Sequence, residues 1–147
     1  MNADAAVARA RKYLKTASLA FQGEDYESCV SRAYYAMFYM TRALVRQHGI
    51  GARTHSGIIN QFSLHFVKTA VLPIERAEAL SRAFNLRQLA EYADDFVIPR
   101  DEAEAALQDA ENFVTHIACC SSRHTHADLR VYYKHYRRAG MGLARVG

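Results

Sequence analysis

Apolar residues recur along the chain at the alternating spacing of three and four positions that is typical of amphipathic helices. The clearest case is the segment 24–48, in which one helical face carries Val30, Ala33, Tyr34, Met37, Thr41 and Leu44. Phe38 and Val45 add a second face, and Tyr35 and Tyr39 add a third. A helix that is apolar nearly all round is buried on several sides. We therefore predict that this segment is the central helix, covered by its own neighbours and by a partner subunit.

Four further helices are predicted from the same periodicity and from the positions of glycine and proline. They are expected at about 4–21, at about 56–67, from Pro73 to a frayed end near 92–96, and from Pro99 onward. The first helix should end at Gly23, because glycine readily takes the left-handed cap conformation. No period-two strand pattern of useful length is present. The predicted fold class is all-α, an up-and-down bundle of four to five helices.

Composition favours one soluble globular domain, since the chain has 147 residues of which 50% are hydrophobic and 23% are charged. No apolar stretch approaches the ~20 residues that a membrane-spanning helix needs. The N-terminus also lacks the pattern of a secretory signal. Cys29, Cys119 and Cys120 are too few and too clustered for a disulfide framework. We therefore expect a cytoplasmic protein without membrane association.

The charge divides the chain into a nearly neutral body, 1–120, and a basic tail, 121–147. The tail has six basic residues and one acidic residue, so it carries +5, whereas the whole chain carries +4. Within it, the segment 127–139 has aromatic residues at helical spacing and is compatible with a short extra helix. Basic residues interleaved with tyrosines are typical of RNA-contacting segments. The same composition is also typical of a disordered terminus.

Five potential metal ligands lie close together near the end of the body: His116, Cys119, Cys120, His124 and His126. Structural zinc sites use ligand pairs separated by two to four residues, closed into a tetrahedron. The adjacent Cys119 and Cys120 cannot easily turn toward one ion, and the chain has no second pair. We therefore predict no metal site and no cofactor.

Arg87 is the most informative single residue, because it continues the apolar stripe of Leu80 and Phe84. A guanidinium that points toward a core must be paired or must face a groove that admits an anion. Glu91 and Asp94 share its helical face. The two interpretations are a simple Arg87–Glu91 pair within the helix and a polar groove that binds a ligand.

Three segments carry a resemblance to a known family: SRAYYAMFYMTRALV, THSGIINQFSLHFVKT and LRQLAEYADDFVIPRDEAEAAL. They resemble the HEPN superfamily, and within it the small UPF0332 branch, from about Ala10 to Ile117. The resemblance implies a bundle that dimerises through its long helices. It also implies an RNA or nucleotide ligand and a minimal nucleotidyltransferase as the partner, because many members are metal-independent ribonucleases or toxins of toxin–antitoxin pairs.

Active ribonucleases of this family share an arginine that is followed, after four to six residues, by a histidine. The two residues meet across the dimer groove, where the cation stabilises the phosphorane-like transition state and the imidazole moves a proton. Arg87 stands at the position of that arginine, but Tyr92 stands where a histidine is expected. A tyrosine is a poor base at pH 7, although it can donate a hydrogen bond to a phosphate. His55 and Glu91 are the alternative sources of the missing base.

The sequence therefore leaves two functions open. One is a binding module that has lost its catalytic histidine, and the other is a ribonuclease toxin that combines Arg87 with an unusual second residue. The candidate catalytic residues are Arg87 and Tyr92, and the candidate binding residues are Glu91, Asp94, His55, Tyr35 and Tyr39. Simpler roles compete with these, since His55 suits a helix cap and tyrosines at helical spacing usually pack in a core. Tyr92 is also a candidate for modification by the partner.

Overall fold

The computed structural model describes residues 3–123, with the side chains of residues 4–119. Its helices are α1 (Ala3–Gln22), α2 (Tyr26–Gln47), α3 (His55–Phe62), α4 (Ile74–Tyr92) and α5 (Arg100–Arg123). No strand occurs in this part of the chain. The prediction of an all-α bundle is confirmed, whereas the predicted tail helix at 127–139 lies outside the described residues.

The central element is α2, which packs against each of the other four helices. Its predicted main stripe is buried, with Tyr34 and Met37 fully inaccessible to solvent. The second face, with Phe38 and Val45, is buried as well. Tyr35, on the third face, is only partly buried and packs at the edge of the core. Each fully buried large side chain stabilises the fold by about 1.5–3 kcal/mol, so α2 contributes more to the core than its neighbours do.

The turn between α1 and α2 differs from the prediction in one detail. Glu24, not Gly23, has the left-handed backbone conformation, with φ of 62°. The reason is that α1 extends one residue further than predicted, so the cap position moves from Gly23 to Glu24. The Asp25 N–H then donates to the Ala20 carbonyl at 2.9 Å, which closes the helix end. The Asp25 carboxylate also caps α2, because it accepts from the Ser28 N–H at 3.1 Å.

Helix α3 begins one residue earlier than predicted and ends at Phe62, before the predicted end near residue 67. Thr54 caps it, since its hydroxyl accepts from the Gly57 N–H at 3.0 Å. His55 is therefore the first helical residue. After Phe62 the chain winds as a single π-helical turn over Ser63–Val67. This arrangement brings the start of α3 against the middle of α2.

Helices α4 and α5 complete the bundle. Pro73 directly precedes α4 and acts as its cap, one position away from the predicted first turn. Ile74 is 59% exposed because it is the first residue of the helix and extends beyond the core. The predicted stripe of α5 is largely buried, including Ala103, Ala110 and Ile117. Among the described helices, none combines the length and apolarity required to cross a bilayer.

Candidate functional site

Arg87 lies near the C-terminal end of α4, above two aromatic rings of α2. Its guanidinium carbon is 5.3 Å from the centre of the Tyr34 ring and 4.9 Å from the centre of the Tyr35 ring. These distances are within the range of cation–π attraction. Only 18% of the Arg87 side chain is exposed. The prediction that Arg87 points toward the core is therefore confirmed.

Protein groups accept only some of the hydrogen bonds that the Arg87 guanidinium can donate. Its Nη2 pairs with Glu91 Oε1 at 3.1 Å, as the spacing along the helix predicted. The Nε atom is buried and has no hydrogen-bond partner among the described residues. Buried polar groups are almost always hydrogen-bonded, and a charged donor without an acceptor is costly. The protein therefore leaves this guanidinium incompletely satisfied.

Beside this side chain is a small polar pocket of about 160 Å³, which we call the Arg87 pocket. Two arginines, two serines and two glutamates line it: Glu27, Ser28, Ser31, Arg32, Arg87 and Glu91. Glu91 is already engaged by Arg87, which leaves Arg32 and the serine hydroxyls as further donors. Guanidinium and hydroxyl groups are the common ligands of phosphate oxygens.

His55 approaches the same tyrosine from the start of α3. Its Nδ1 is 2.7 Å from the Tyr34 hydroxyl oxygen, a short hydrogen bond. Its ring lies flat on Phe38, with centroids 4.0 Å apart and planes inclined by 11°. The imidazole is therefore fixed in position by one hydrogen bond and one stacked ring, both provided by α2. Its Nε2 makes no hydrogen bond within the described part of the chain.

The surroundings keep this imidazole neutral near pH 7. Partial burial lowers the pKa of His55 from 6.5, and the positive charges of Arg87 and Arg42 lower this pKa further. Burial raises the pKa of the Tyr34 phenol, so it keeps its proton. The hydrogen bond then has two forms, depending on the tautomer of His55. When Nδ1 donates to Tyr34, Nε2 is a base, and when Tyr34 donates, Nε2 is a hydrogen-bond donor.

Tyr34 thus connects the two candidate residues that are far apart in the sequence. Its hydroxyl binds His55, and its ring supports Arg87. The family resemblance led us to seek a histidine a few residues after Arg87, and the fold instead brings His55 to this region from α3. A cation and a neutral imidazole that contact the same tyrosine are a pair of groups that metal-independent phosphoryl chemistry can use.

Two predicted site residues lie away from this pair. Tyr92 is the last residue of α4 and is 81% exposed. Asp94 is exposed in the loop that follows. Neither forms a hydrogen bond, ion pair or ring contact within the described residues. Their roles in catalysis or binding stay predictions, and the exposed Tyr92 hydroxyl is accessible to a modifying partner.

A cluster of arginines and tyrosines, which sequence reasoning largely missed, extends from the same site across α1 and α2. We call it the arginine–tyrosine face, and it consists of Arg9, Tyr13, Arg32, Tyr35, Tyr39 and Arg42. The Tyr13 and Tyr39 rings stack with centroids 5.3 Å apart. The sequence did contain a signal for four of its six residues, since Arg32, Tyr35, Tyr39 and Arg42 share one helical face. Arg9 joins this face from α1, where it is partly buried against Tyr39.

The potential metal ligands near the end of α5 take another role where the structure describes them. His116 Nδ1 accepts from Arg76 Nε at 3.1 Å, a contact that joins α5 to α4. Within the described residues, no group of three histidine, cysteine or acidic side chains is arranged to hold a metal ion. His124 and His126 lie outside the described residues.

Comparisons with known proteins agree with this architecture. The model of the HEPN domain family matches residues 3–119. The chain is 35% identical over 108 residues to "Putative toxin MJ0142" from Methanocaldococcus jannaschii, covering 74% of each chain. It is 32% identical over 106 residues to a UPF0332 protein from Thermotoga maritima, covering 72% of this chain and 80% of that one. A UPF0332 protein from Archaeoglobus fulgidus is 34% identical over 108 residues, or 74% of this chain and 86% of the relative.

The family match spans nearly all of the described helices, and the relatives are aligned over most of their own length. Both findings confirm the resemblance that the three sequence segments indicated. The chain belongs to the HEPN domain family and is related to its UPF0332 proteins.

Proposed function

We propose that this protein is the RNA- or nucleotide-binding component of a two-component, toxin–antitoxin-like system, and that Arg87 binds a phosphate of the ligand. The observation that carries the proposal is the incompletely satisfied guanidinium, which is buried above Tyr34 and Tyr35 and borders a polar pocket. A fold does not by itself fix a function. The name of the Methanocaldococcus jannaschii relative, which includes the word toxin, supports the two-component role.

Two arginines and two serines give the pocket donors that can bind a phosphate beside the carboxylates of Glu27 and Glu91. Arginine offers a planar set of donors that matches two phosphate oxygens at once. Arg32 lines the same pocket as Arg87, so two guanidinium groups can share one phosphodiester, and Ser28 and Ser31 add hydroxyl donors.

The test is the affinity of the purified protein for a fluorescent single-stranded RNA, compared between Arg87→Ala and Arg82→Ala. Arg82 is a matched control because it is on the same helix but pairs with Asp109 at the surface. We expect Arg87→Ala to weaken binding about tenfold or more, since one charged hydrogen-bonding group is worth about 1.5–3 kcal/mol. Equal affinities for the two variants would refute the assignment of Arg87.

A second function is favoured by the position of His55. In this alternative the protein is a metal-independent ribonuclease in which His55 replaces the expected histidine. Its Nε2 removes the proton from a ribose 2′-hydroxyl, and the 2′-oxygen attacks the adjacent phosphorus. The bond to the 5′-oxygen breaks, that oxygen takes a proton from water, and Arg87 stabilises the charge on the phosphorane. The products are a 2′,3′-cyclic phosphate and a 5′-hydroxyl.

This alternative is tested by incubating cellular RNA with the protein in EDTA, and comparing the wild type with His55→Ala and Arg87→Ala. A ribonuclease of this type should lose at least about a hundredfold in rate in either variant, the usual contribution of an acid–base group. His65→Ala is the control, because His65 is a partly buried histidine that binds Gln61 instead. Cleavage that survives His55→Ala would exclude His55 as the base.

We also propose that the protein is a homodimer whose partner is a minimal nucleotidyltransferase. The proposal rests on membership of the HEPN family, whose resemblance implied both partners. Light scattering of the purified chain tests the dimer, since a monomeric mass at micromolar concentration would contradict it. Co-expression with a neighbouring nucleotidyltransferase, followed by intact-mass measurement, tests the pairing and the modification of Tyr92.

A further inference from the structure

The arginine–tyrosine face has a feature that neither the core nor the Arg87 pocket requires. Its arginines lie over tyrosine rings. The Arg9 guanidinium carbon is 3.8 Å from the Tyr39 ring centre, and that of Arg42 is 4.6 Å from the same centre. Arg32 is 5.5 Å from the Tyr13 ring centre. Stacking on a ring leaves the N–H edges of a guanidinium available to an acceptor.

No carboxylate neutralises these three arginines within the described part of the chain. The ion pairs found there involve only Arg82 and Arg87. The charges also repel one another, because the pKa of Arg42 is lowered by burial and then by the nearby charges of Arg46 and Arg9. Positive charges that are crowded and unneutralised raise the free energy of the isolated protein. A polyanion bound across the face would relieve this repulsion.

The face is continuous with the proposed phosphate site through Arg32, which belongs to the face and also lines the Arg87 pocket. Arg9 and Arg42 then lie over the Tyr39 ring, further along the same face. A chain of phosphates that leaves the Arg87 pocket past Arg32 therefore meets further guanidinium groups.

We propose that the arginine–tyrosine face is a track for the phosphate backbone of a single-stranded RNA, with Arg9, Arg32 and Arg42 each contacting a phosphate outside the Arg87 pocket. This inference rests on the proposed RNA-binding function. It adds a second binding surface, provided by α1 and α2, that determines how the strand approaches Arg87. The rings of these tyrosines are already covered by arginines and by one another. Their role is therefore to hold the guanidinium groups in place.

A single strand fits this arrangement better than a duplex or an acidic protein segment. The Arg87 side chain is recessed, with 18% exposed, and only a strand that bends locally can place successive phosphates in the pocket and on the face. To reach all of these arginines, an acidic protein segment would need aspartate or glutamate side chains at irregular spacing. A nucleic acid backbone instead offers regularly spaced charges. Arginines held on aromatic rings are also typical of proteins that bind single strands.

The test uses the full chain and a fluorescent single-stranded RNA of twelve nucleotides, titrated at several salt concentrations. The double variant Arg9→Ala/Arg42→Ala is compared with Arg11→Ala/Arg82→Ala, which removes the same charge from exposed positions outside the face. We expect the first variant to bind about tenfold or more weakly at moderate salt. The slope of log affinity against log salt should also fall by about 1.4, since each phosphate contact to a single strand contributes about 0.7. The control variant should change both the RNA affinity and the salt slope much less.

The possible outcomes separate this proposal from the proposed function. If Arg87→Ala weakens binding and Arg9→Ala/Arg42→Ala does not, the track is refuted and the phosphate site at Arg87 stands. If the wild type binds no RNA, both proposals fail. Light scattering of each variant gives the remaining outcome: a change in oligomeric mass with unchanged RNA affinity would identify the face as a protein interface and overturn the track.

Arg9→Lys/Arg42→Lys should recover only part of the affinity, because lysine keeps the charge but not the planar stacking.

Discussion

Two arginines on helix α4, Arg82 and Arg87, illustrate two different surfaces of this protein. Arg82 is exposed and pairs with Asp109 of α5 at 2.9 Å and with Glu78 at 4.0 Å. It borders an α4–α5 groove of about 370 Å³ that is lined mainly by alanine and leucine side chains. Arg87, five residues later, lies over aromatic rings and keeps a buried donor without a partner. Both arginines have an acidic partner, but only Arg87 also lies on aromatic rings and keeps a buried donor without a partner among the described residues.

This difference extends to the helices that face each arginine. Helix α5 offers Arg82 an acidic residue, whereas α2 offers Arg87 tyrosines. An acidic partner occupies the donors that it binds, while an aromatic partner holds a guanidinium without occupying its donors, so Arg87 uses fewer of its donors within the protein than Arg82 does. The comparison teaches that the type of partner, and not the presence of arginine alone, distinguishes a binding surface from a structural one.

The largest expected effect tests whether the support under Arg87 is part of the core. Tyr34 is fully buried, so Tyr34→Ala should lower the free energy of unfolding by about 3–5 kcal/mol. Leu86→Ala, in the α4–α5 groove, should cost about 1 kcal/mol because that side chain is partly exposed. Urea denaturation measures both. Similar losses would mean that the two arginines rest on equivalent surfaces.

A second prediction concerns the cost of keeping Arg87 incompletely satisfied. Arg87→Met should leave the free energy of unfolding unchanged or raise it by about 1 kcal/mol, because a buried unpaired donor is removed while apolar packing is kept. The same variant should lose RNA affinity, which is the expected trade-off at a functional site. The Arg82→Met variant, measured alongside by thermal denaturation and RNA titration, should change neither the free energy of unfolding nor the RNA affinity. A marked loss of stability in Arg87→Met would show that the arginine is mainly structural.

A third prediction uses the pKa of His55, which is lowered first by burial and then by the charges of Arg87 and Arg42. Arg87→Ala removes one of these charges, so the pKa should rise toward the ordinary value but stay below it. Arg82→Ala should leave it unchanged. An NMR titration of the imidazole in both variants measures the difference, and equal values would place Arg87 too far from His55 to act with it.

The same shift gives a dependence of stability on pH with a defined sign. Because the folded-state pKa of His55 lies below the unfolded value, the unfolded chain binds the proton first as the pH falls. Stability should therefore decrease from pH 7 through the ordinary histidine pKa and level off below the folded one. His65 and His116 have pKa values lowered in the same direction. The part of this decrease in stability that is lost in the Arg87→Ala variant can be attributed to the titration of His55.

The smallest expected effect concerns the neutralised arginine. Asp109→Asn removes the closer partner of Arg82, and it should lower the free energy of unfolding by less than about 1 kcal/mol, as is usual for an exposed ion pair. RNA affinity should not increase, because Arg82 has no aromatic support. Thermal denaturation and the RNA titration check the two expectations. A gain in affinity would show that removing an acidic partner is sufficient to create a binding arginine.

The sequence by itself determined the helices and the direction in which most of their side chains point. Tyr34 and Met37 were assigned to the core from their spacing, and they are fully buried. Arg87 was assigned to the inward face of α4, and a pair with Glu91 was one of its two interpretations; the inward position and the pair are both observed. These features depend on the periodicity of one helix and on contacts four residues apart, so the local sequence is sufficient to predict them.

The tertiary structure alone decided which groups share the site. Nothing in the spacing of residues indicated that His55 would bind Tyr34 and lie on Phe38, because the packing of α3 against α2 depends on the whole bundle. In the same way, the contact of Arg9 with Tyr39 depends on how α1 lies along α2. Periodicity defines the face on which a residue lies, but the face that it meets is set by the summed packing of side chains from all helices.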